Sequence, residues 1–150
     1  MPPALEGIIN LFEHLPEGER RALLVHYAEN AKNCVPQPGE IFDLEDVRKD
    51  EECTDTVGIH LRVDDAESTH FRVSLGPEVQ TLTRAMTSIL CKGLSGATPR
   101  EIVDLEADFV PRVVGAELVR QRSQTVYYVL GRMKSALKVW SNRRRAGGLT

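Results

Sequence analysis

The sequence predicts an α+β fold, with helices packed on a small antiparallel sheet. Three observations carry this. Apolar residues alternate over Val57, Ile59, Leu61 and Val63 and again over Phe71, Val73 and Leu75, with polar residues between them, the pattern of a hairpin with one buried face. On both sides of that hairpin apolar residues recur at three- and four-residue steps, the helical period. The two kinds of element are also segregated along the chain rather than alternating.

In order, Leu5, Ile8, Ile9 and Phe12 mark a short amphipathic helix over residues 4–14. Pro16 is placed to open a second helix at its first position, with Glu17 and Glu19 at the positive end of the dipole. Its apolar face is Leu23, Leu24, Tyr27, Ala28 and Ala31, and the run Val35-Pro36-Gln37-Pro38-Gly39 stops it. A long acidic segment, residues 35–55, follows; a loop of this length in a compact domain is usually functional. Two strands alone are marginal, so a third is expected from within residues 40–55. The polar turn Asp65-Ala66-Glu67-Ser68-Thr69 joins the hairpin strands. A helix is predicted from Pro77 to about Gly93, and Thr98-Pro99-Arg100-Glu101 has the form of a capping box that opens another. A short element lies around Phe109–Val114, Gly115 breaks it, and a last helix over about 119–142 presents Val126, Val129, Leu130, Met133, Leu137 and Trp140 to the core. Residues 141–150, with Arg143-Arg144-Arg145, read as a basic, frayed tail.

One domain spanning residues 1–150 accommodates this length with a single core. The net charge of −3 lacks the basic stripe of a nucleic-acid binder, and no apolar run approaches the ~20 residues that span a membrane. The N-terminus carries no secretory signal pattern, which places the chain in the cytoplasm as an expectation. Cys34, Cys53 and Cys91 have neither paired disulfide nor zinc spacing and are expected to be free thiols. No glycine-rich phosphate loop, metalloprotease helix or nucleophile elbow is present. His14, His26, His60 and His70 read as solvated surface residues, with His60 and His70 sharing the polar face of the hairpin.

Cys53 stands apart. A cysteine kept for packing sits among hydrophobes, but Cys53 lies in Asp50-Glu51-Glu52-Cys53-Thr54-Asp55-Thr56, with no apolar residue within three positions. Such a thiol is placed either for chemistry, to attack, carry sulfur or bind a metal, or as a surface cysteine of no consequence. The surrounding carboxylates disfavour its thiolate, so reactivity requires a cation delivered by the fold; Arg122 is the expected candidate. Cys34, at a helix end, reads as a boundary residue and Cys91 as packing. A metal site built from all three cysteines would require them to converge.

Taken in order, these features resemble the SufE family of sulfur-acceptor proteins. The resemblance rests on Cys53-Thr54-Asp55-Thr56-Val57, on Thr98-Pro99-Arg100-Glu101-Ile102-Val103, on the Asp108-Phe109 pair and on the stretch from Leu118 to Gln124. It covers about residues 5–140. Glu52 and Thr54 replace the glycine and glutamine common beside the family's cysteine, and Gly58 stands where an aromatic is common. The resemblance implies a fold similar to the iron–sulfur scaffold IscU, and no cofactor of the chain's own. It implies that Cys53 accepts persulfide sulfur from a SufS-type cysteine desulfurase, whose pyridoxal phosphate stays with that partner, and that the chain stimulates the desulfurase. A SufBCD-type scaffold complex would receive the sulfur, and a homodimer is allowed. Arg122 matches the family's late arginine and would support the cysteine loop or contact the partner. The alternative is an IscU-like metal or cluster scaffold using Cys34, Cys53 and Cys91.

Overall fold

The computed structural model describes residues 1–148. Two helices, α1 (Pro3–Glu13) and α2 (Glu17–Asn30), lead through a 3-10 turn (Ala31–Cys34) into strands β1 (Leu44–Arg48), β2 (Val57–Val63) and β3 (Thr69–Leu75). Helices α3 (Thr81–Gly93), α4 (Pro99–Val103), α5 (Val110–Val114) and α6 (Ala116–Gly148) follow. The sheet is antiparallel in the order β1-β2-β3. The expected hairpin is therefore present, and the expected third strand comes from the acidic segment as β1, an edge strand.

The register explains the alternation. Leu61 lies between Leu44 and Phe71, Ile59 opposite Val73, and Val57 opposite Leu75. Val57, Ile59, Leu61 and Val73 are fully buried and join the helical residues in a single cluster. Helix α3 is the centre of the helical layer, packed on α1, α2, α6 and β3, while α6 lies along β1 and β2. Its buried Met86, Ile89 and Leu90 and the Val126, Val129, Met133 and Leu137 stripe of α6 supply much of the core. Trp140 is only partly buried against it.

Several elements differ from the sequence expectation, each for a local reason. Pro16 caps α2 from outside rather than occupying its first turn. The helix predicted from Pro77 begins at Thr81, because the backbone of residues 76–78 is committed to a turn and to the loop that precedes β2 (Val79 N–H to the Gly76 carbonyl, Glu78 N–H to the Asp55 carboxylate). The Thr98–Glu101 capping box forms with both reciprocal bonds. The basic segment 141–148 continues α6 rather than fraying, and residues 149–150 lie outside the described residues. Helix α6 is interrupted once, at Arg122, whose φ of −136° and ψ of 36° are not helical.

His60 is buried rather than solvated, at 6% exposure. Its Nδ1 donates to the Glu45 carboxylate at 2.7 Å and its Nε2 lies 3.0 Å from Ser74 Oγ. It stands opposite Arg72, and His70 opposite Arg62, so the two histidines are not directly paired. Among the described residues, no helix is long and apolar enough to cross a membrane.

Candidate functional site

Cys53 closes a tight turn. Its N–H donates to the Asp50 carbonyl at 3.1 Å, so the chain leaving the β1 edge folds back and brings the thiol against the core between the sheet and α6. The other half of the loop is fastened to the β3–α3 connection. Thr54 Oγ1 donates to the Glu78 carbonyl at 2.7 Å, and the Asp55 carboxylate accepts from Thr56 N–H at 2.7 Å and Glu78 N–H at 2.8 Å. A Cβ on Gly76 would lie 2.3 Å from the Asp55 carboxyl carbon, so this close approach needs glycine. Asp55, counted from sequence among the groups crowding Cys53, is thus committed elsewhere, and its amide donors hold its carboxyl below the ordinary range.

The cation near Cys53 comes from α6. Arg132, at 3% exposure the one fully buried arginine among the described residues, donates from Nη2 to the Asp46 carbonyl at 2.8 Å and to the Val57 carbonyl at 2.9 Å. Its Nη1 donates to the Tyr128 hydroxyl oxygen at 2.5 Å, and its Nε and Nη1 approach the Asp46 and Asp50 carboxylates at 3.3 and 3.4 Å. The Tyr128 hydroxyl in turn donates to Asp50 Oδ2 at 2.7 Å and is near enough to the Cys53 thiol to lower its pKa. Arg48 completes the arrangement, its Nε 2.9 Å from Asp50 Oδ1.

These groups act on the thiol in opposite directions. Burial pushes the Cys53 thiol up, the Tyr128 hydroxyl and the Arg132 field pull it down, and the Asp50 and Glu52 charges push it up again; the balance is upward. Asp50 is held below the usual carboxylate range, chiefly by the Tyr128 hydroxyl and then by Arg48. Burial and the bond to Asp50 push the Tyr128 phenol up, so it stays a neutral donor.

Arg122 lies elsewhere. At the α6 kink it lines a cleft of about 540 Å³ whose other walls include Arg21, Leu24, Val25, Leu82 and Leu118. Cys34 and Cys91 line a different cleft, between the 3-10 turn, β3 and α3, with Arg72 and Lys92. The three cysteines do not converge, and among the described residues no group of three or more histidine, cysteine, aspartate or glutamate side chains is arranged to hold a metal ion. Sequence reasoning missed Tyr128 and Arg132. The available signal was an arginine set within the apolar stripe of α6, one residue before Met133 and three after Val129, a place where a charge survives only if the fold supplies acceptors.

Cys53 thus stands on a tight turn backed by a three-stranded sheet and a helical layer. The sequence profile of SufE, described as an Fe-S metabolism associated domain, matches residues 6–137. The chain belongs to the SufE family. It is similar to a Plasmodium vivax protein named cysteine desulfuration protein SufE, with 26% identity over 140 residues, 90% of this chain and 53% of that protein. The chain thus spans about half the length of that relative. A solution structure of a hypothetical protein from Thermus thermophilus superposes with a TM-score of 0.71 at 23% identity, covering 95% of this chain and 98% of the other. The N-terminal part of a nitrogen-fixing NifU-like protein from Brucella abortus superposes with a TM-score of 0.55 at 17% identity, covering 79% and 92%. At these identities the two structures show the α+β fold alone.

Proposed function

We propose that this chain is a sulfur carrier that takes persulfide sulfur onto Cys53 from a pyridoxal-phosphate-dependent cysteine desulfurase of the SufS type, stimulates that enzyme, and delivers the sulfur to iron–sulfur cluster assembly, on a SufBCD-type complex. The observation that carries this reading is the setting of Cys53: a half-buried thiol on a tight turn, beside a hydroxyl and a guanidinium, in a chain of the SufE family.

The transfer is a thiol exchange. The Cys53 thiolate attacks the outer sulfur of the desulfurase persulfide, the new S–S bond forms, the old one breaks, and the desulfurase cysteine leaves as thiolate. The transferred sulfur keeps its charge or proton and Cys53 becomes a persulfide. Tyr128 and Arg132 favour the charged sulfur before attack and the persulfide anion after it. Half-burial against the core limits access of water and stray thiols while the sulfur waits. Arg122 is suited to partner contact, since its cleft combines apolar walls with two guanidinium groups, its own and that of Arg21. The metal-scaffold alternative is not favoured, because it needs three cysteines together and Cys53 lies apart from the cleft that Cys34 and Cys91 share.

The test is intact-protein mass spectrometry after incubation with a cysteine desulfurase and L-cysteine. A reducible gain of sulfur mass on Cys53 is expected, lost in Cys53→Ser and retained in Cys34→Ser and Cys91→Ser. Uptake that survives Cys53→Ser and disappears in Cys34→Ser would overturn the assignment.

A further inference from the structure

Two cysteines with no part in the sulfur-carrier reading face one another across an element boundary. Cys34 ends the 3-10 turn that packs on α3, and Cys91 lies on α3. The Cys34 thiol donates to the Asn30 carbonyl at 3.9 Å, and Cys91 and Ser88, one turn apart on α3, line the same cleft and act on that thiol electrostatically. The cleft, of about 800 Å³, is open to solvent and walled by polar and cationic groups, among them Asn30, Arg72, Ser88 and Lys92. Both thiols are free; Cys91 packs against the core as the sequence suggested but also borders the cleft, and Cys34 lies outside the core cluster.

The two sulfurs are not equivalent. Cys91 and Ser88, with the nearby Arg72 charge, bring the Cys34 thiol down to about 7, whereas Cys34 and burial push Cys91 well above the ordinary thiol value. Of the two, Cys34 gives up its proton more readily and Cys91 keeps its own. A low-lying, accessible thiolate with a protonated thiol beside it is the arrangement of a nucleophilic and a resolving cysteine.

We propose that Cys34 and Cys91 form a second reactive site, a dithiol that reacts with small hydroperoxides and closes to a reversible Cys34–Cys91 disulfide. The Cys34 thiolate attacks the distal oxygen of the hydroperoxide, an S–O bond forms, the O–O bond breaks, and the other oxygen leaves as hydroxide or alkoxide and takes up a proton. The Cys91 sulfur, giving up its proton, then attacks the Cys34 sulfenic sulfur; the S–S bond forms and water leaves. Two thiols are oxidised by two electrons in all and one hydroperoxide is reduced to water plus water or alcohol. A dithiol reductant reverses the closure. The disulfide would tie the end of α2 to the middle of the core helix α3. It does not involve Cys53.

The experiment uses the full chain in a Cys53→Ser background, so that its outcome is independent of the sulfur-carrier reading. Hydrogen peroxide is added in small excess at neutral pH and the protein is followed by intact mass and peptide mapping. The expected result is loss of two hydrogen masses, a mapped Cys34–Cys91 cross-link and recovery on reduction with dithiothreitol. In the Cys91→Ser variant of the same background a dimedone-trappable sulfenic acid should accumulate on Cys34, and in Cys34→Ser no rapid oxidation should occur. Iodoacetamide should label Cys34 at least about tenfold faster than Cys91. Dimedone adducts mapping to Cys91, equal labelling of the two thiols, or peroxide oxidation that yields only intermolecular disulfides would each overturn the proposal.

Discussion

A tyrosine hydroxyl has one proton to donate, and the Tyr128 proton has two claimants. At rest it goes to Asp50; when Cys53 ionises, the sulfur is the second anion near it. Arg48 and Arg132 can hold Asp50 while the hydroxyl turns to the sulfur. Tyr128→Phe should therefore slow sulfur acceptance by about tenfold, the kinetic equivalent of one charge-assisted hydrogen bond, and raise the alkylation pKa of Cys53 further. A time course of sulfur uptake by intact mass measures the first, and a pH–rate profile of Cys53 alkylation in the Cys34→Ser background measures the second. Because burial already lifts this thiol, its reaction rate should climb through neutral pH and keep climbing beyond the range of an ordinary thiol; a plateau below that range would contradict the balance of effects described. Arg132 is a separate matter of shape. Its fork reaches two carbonyls, one hydroxyl and two carboxylates at once, and lysine, a compact point charge, cannot reproduce it. Arg132→Lys should cost about 2 kcal/mol in urea unfolding, because buried acceptors lose their donors, and should weaken acceptance along with stability.

At the scale of elements, the hairpin and most helices were legible because their apolar periods match what they bury. The third strand was foreseen only as a need, since Leu44-Glu45-Asp46-Val47-Arg48 presents one buried residue and leaves even Val47 exposed among charged neighbours. The start of α3 was misplaced because the Asp55 carboxylate takes the Glu78 N–H, a tertiary contact that no local pattern displays. The site divided the same way. Cys53 was legible from its polar surroundings, whereas the approach of Tyr128 and Arg132 depends on how α6 crosses β1 and β2. Cys34 and Cys91 meet for a similar reason, through packing of the 3-10 turn on α3. The presence of Gly58, where the resemblance led to the expectation of an aromatic, has an element-scale cause. A Cβ on Gly58 would come within 2.2 Å of Ser74 Oγ, 2.9 Å of Val47 Cγ2 and 3.0 Å of His60 Nε2. This sheet fills the space above Gly58 with its buried histidine and its partners, so an aromatic does not fit. Gly58→Ala should destabilise by about 2 kcal/mol through overpacking, lowering Tm by about 6 °C for a chain of this size. An unchanged melting temperature would show that Ser74 and His60 yield freely.

For the molecule as a whole, several carboxylates answer to partners that exist only in the folded state. Asp50, Asp55 and Asp64 are all held below the ordinary aspartate value, by Tyr128 first for Asp50 and by backbone amides first for the other two. A depressed folded pKa contributes stability that is present above the unfolded value of 3.8 and is lost as pH falls through the lower folded values. Thermal stability should accordingly be flat from neutrality to about pH 5 and fall steeply below about pH 4, with a shallower fall in Asp50→Asn. The Arg132 guanidinium also has a topological effect. One nitrogen grips the Asp46 carbonyl and the Val57 carbonyl together, so residues 47–56, already closed at their base where Arg48 stands opposite Val57, form a ring that a side chain closes a second time. Such a ring opens in a single event or not at all, and closing it again carries only a modest entropic penalty. The amides of that stretch should therefore exchange with solvent deuterium as one cooperative group, at a common rate set by release of Arg132, and the same release would expose the half-buried Cys53 sulfur more fully.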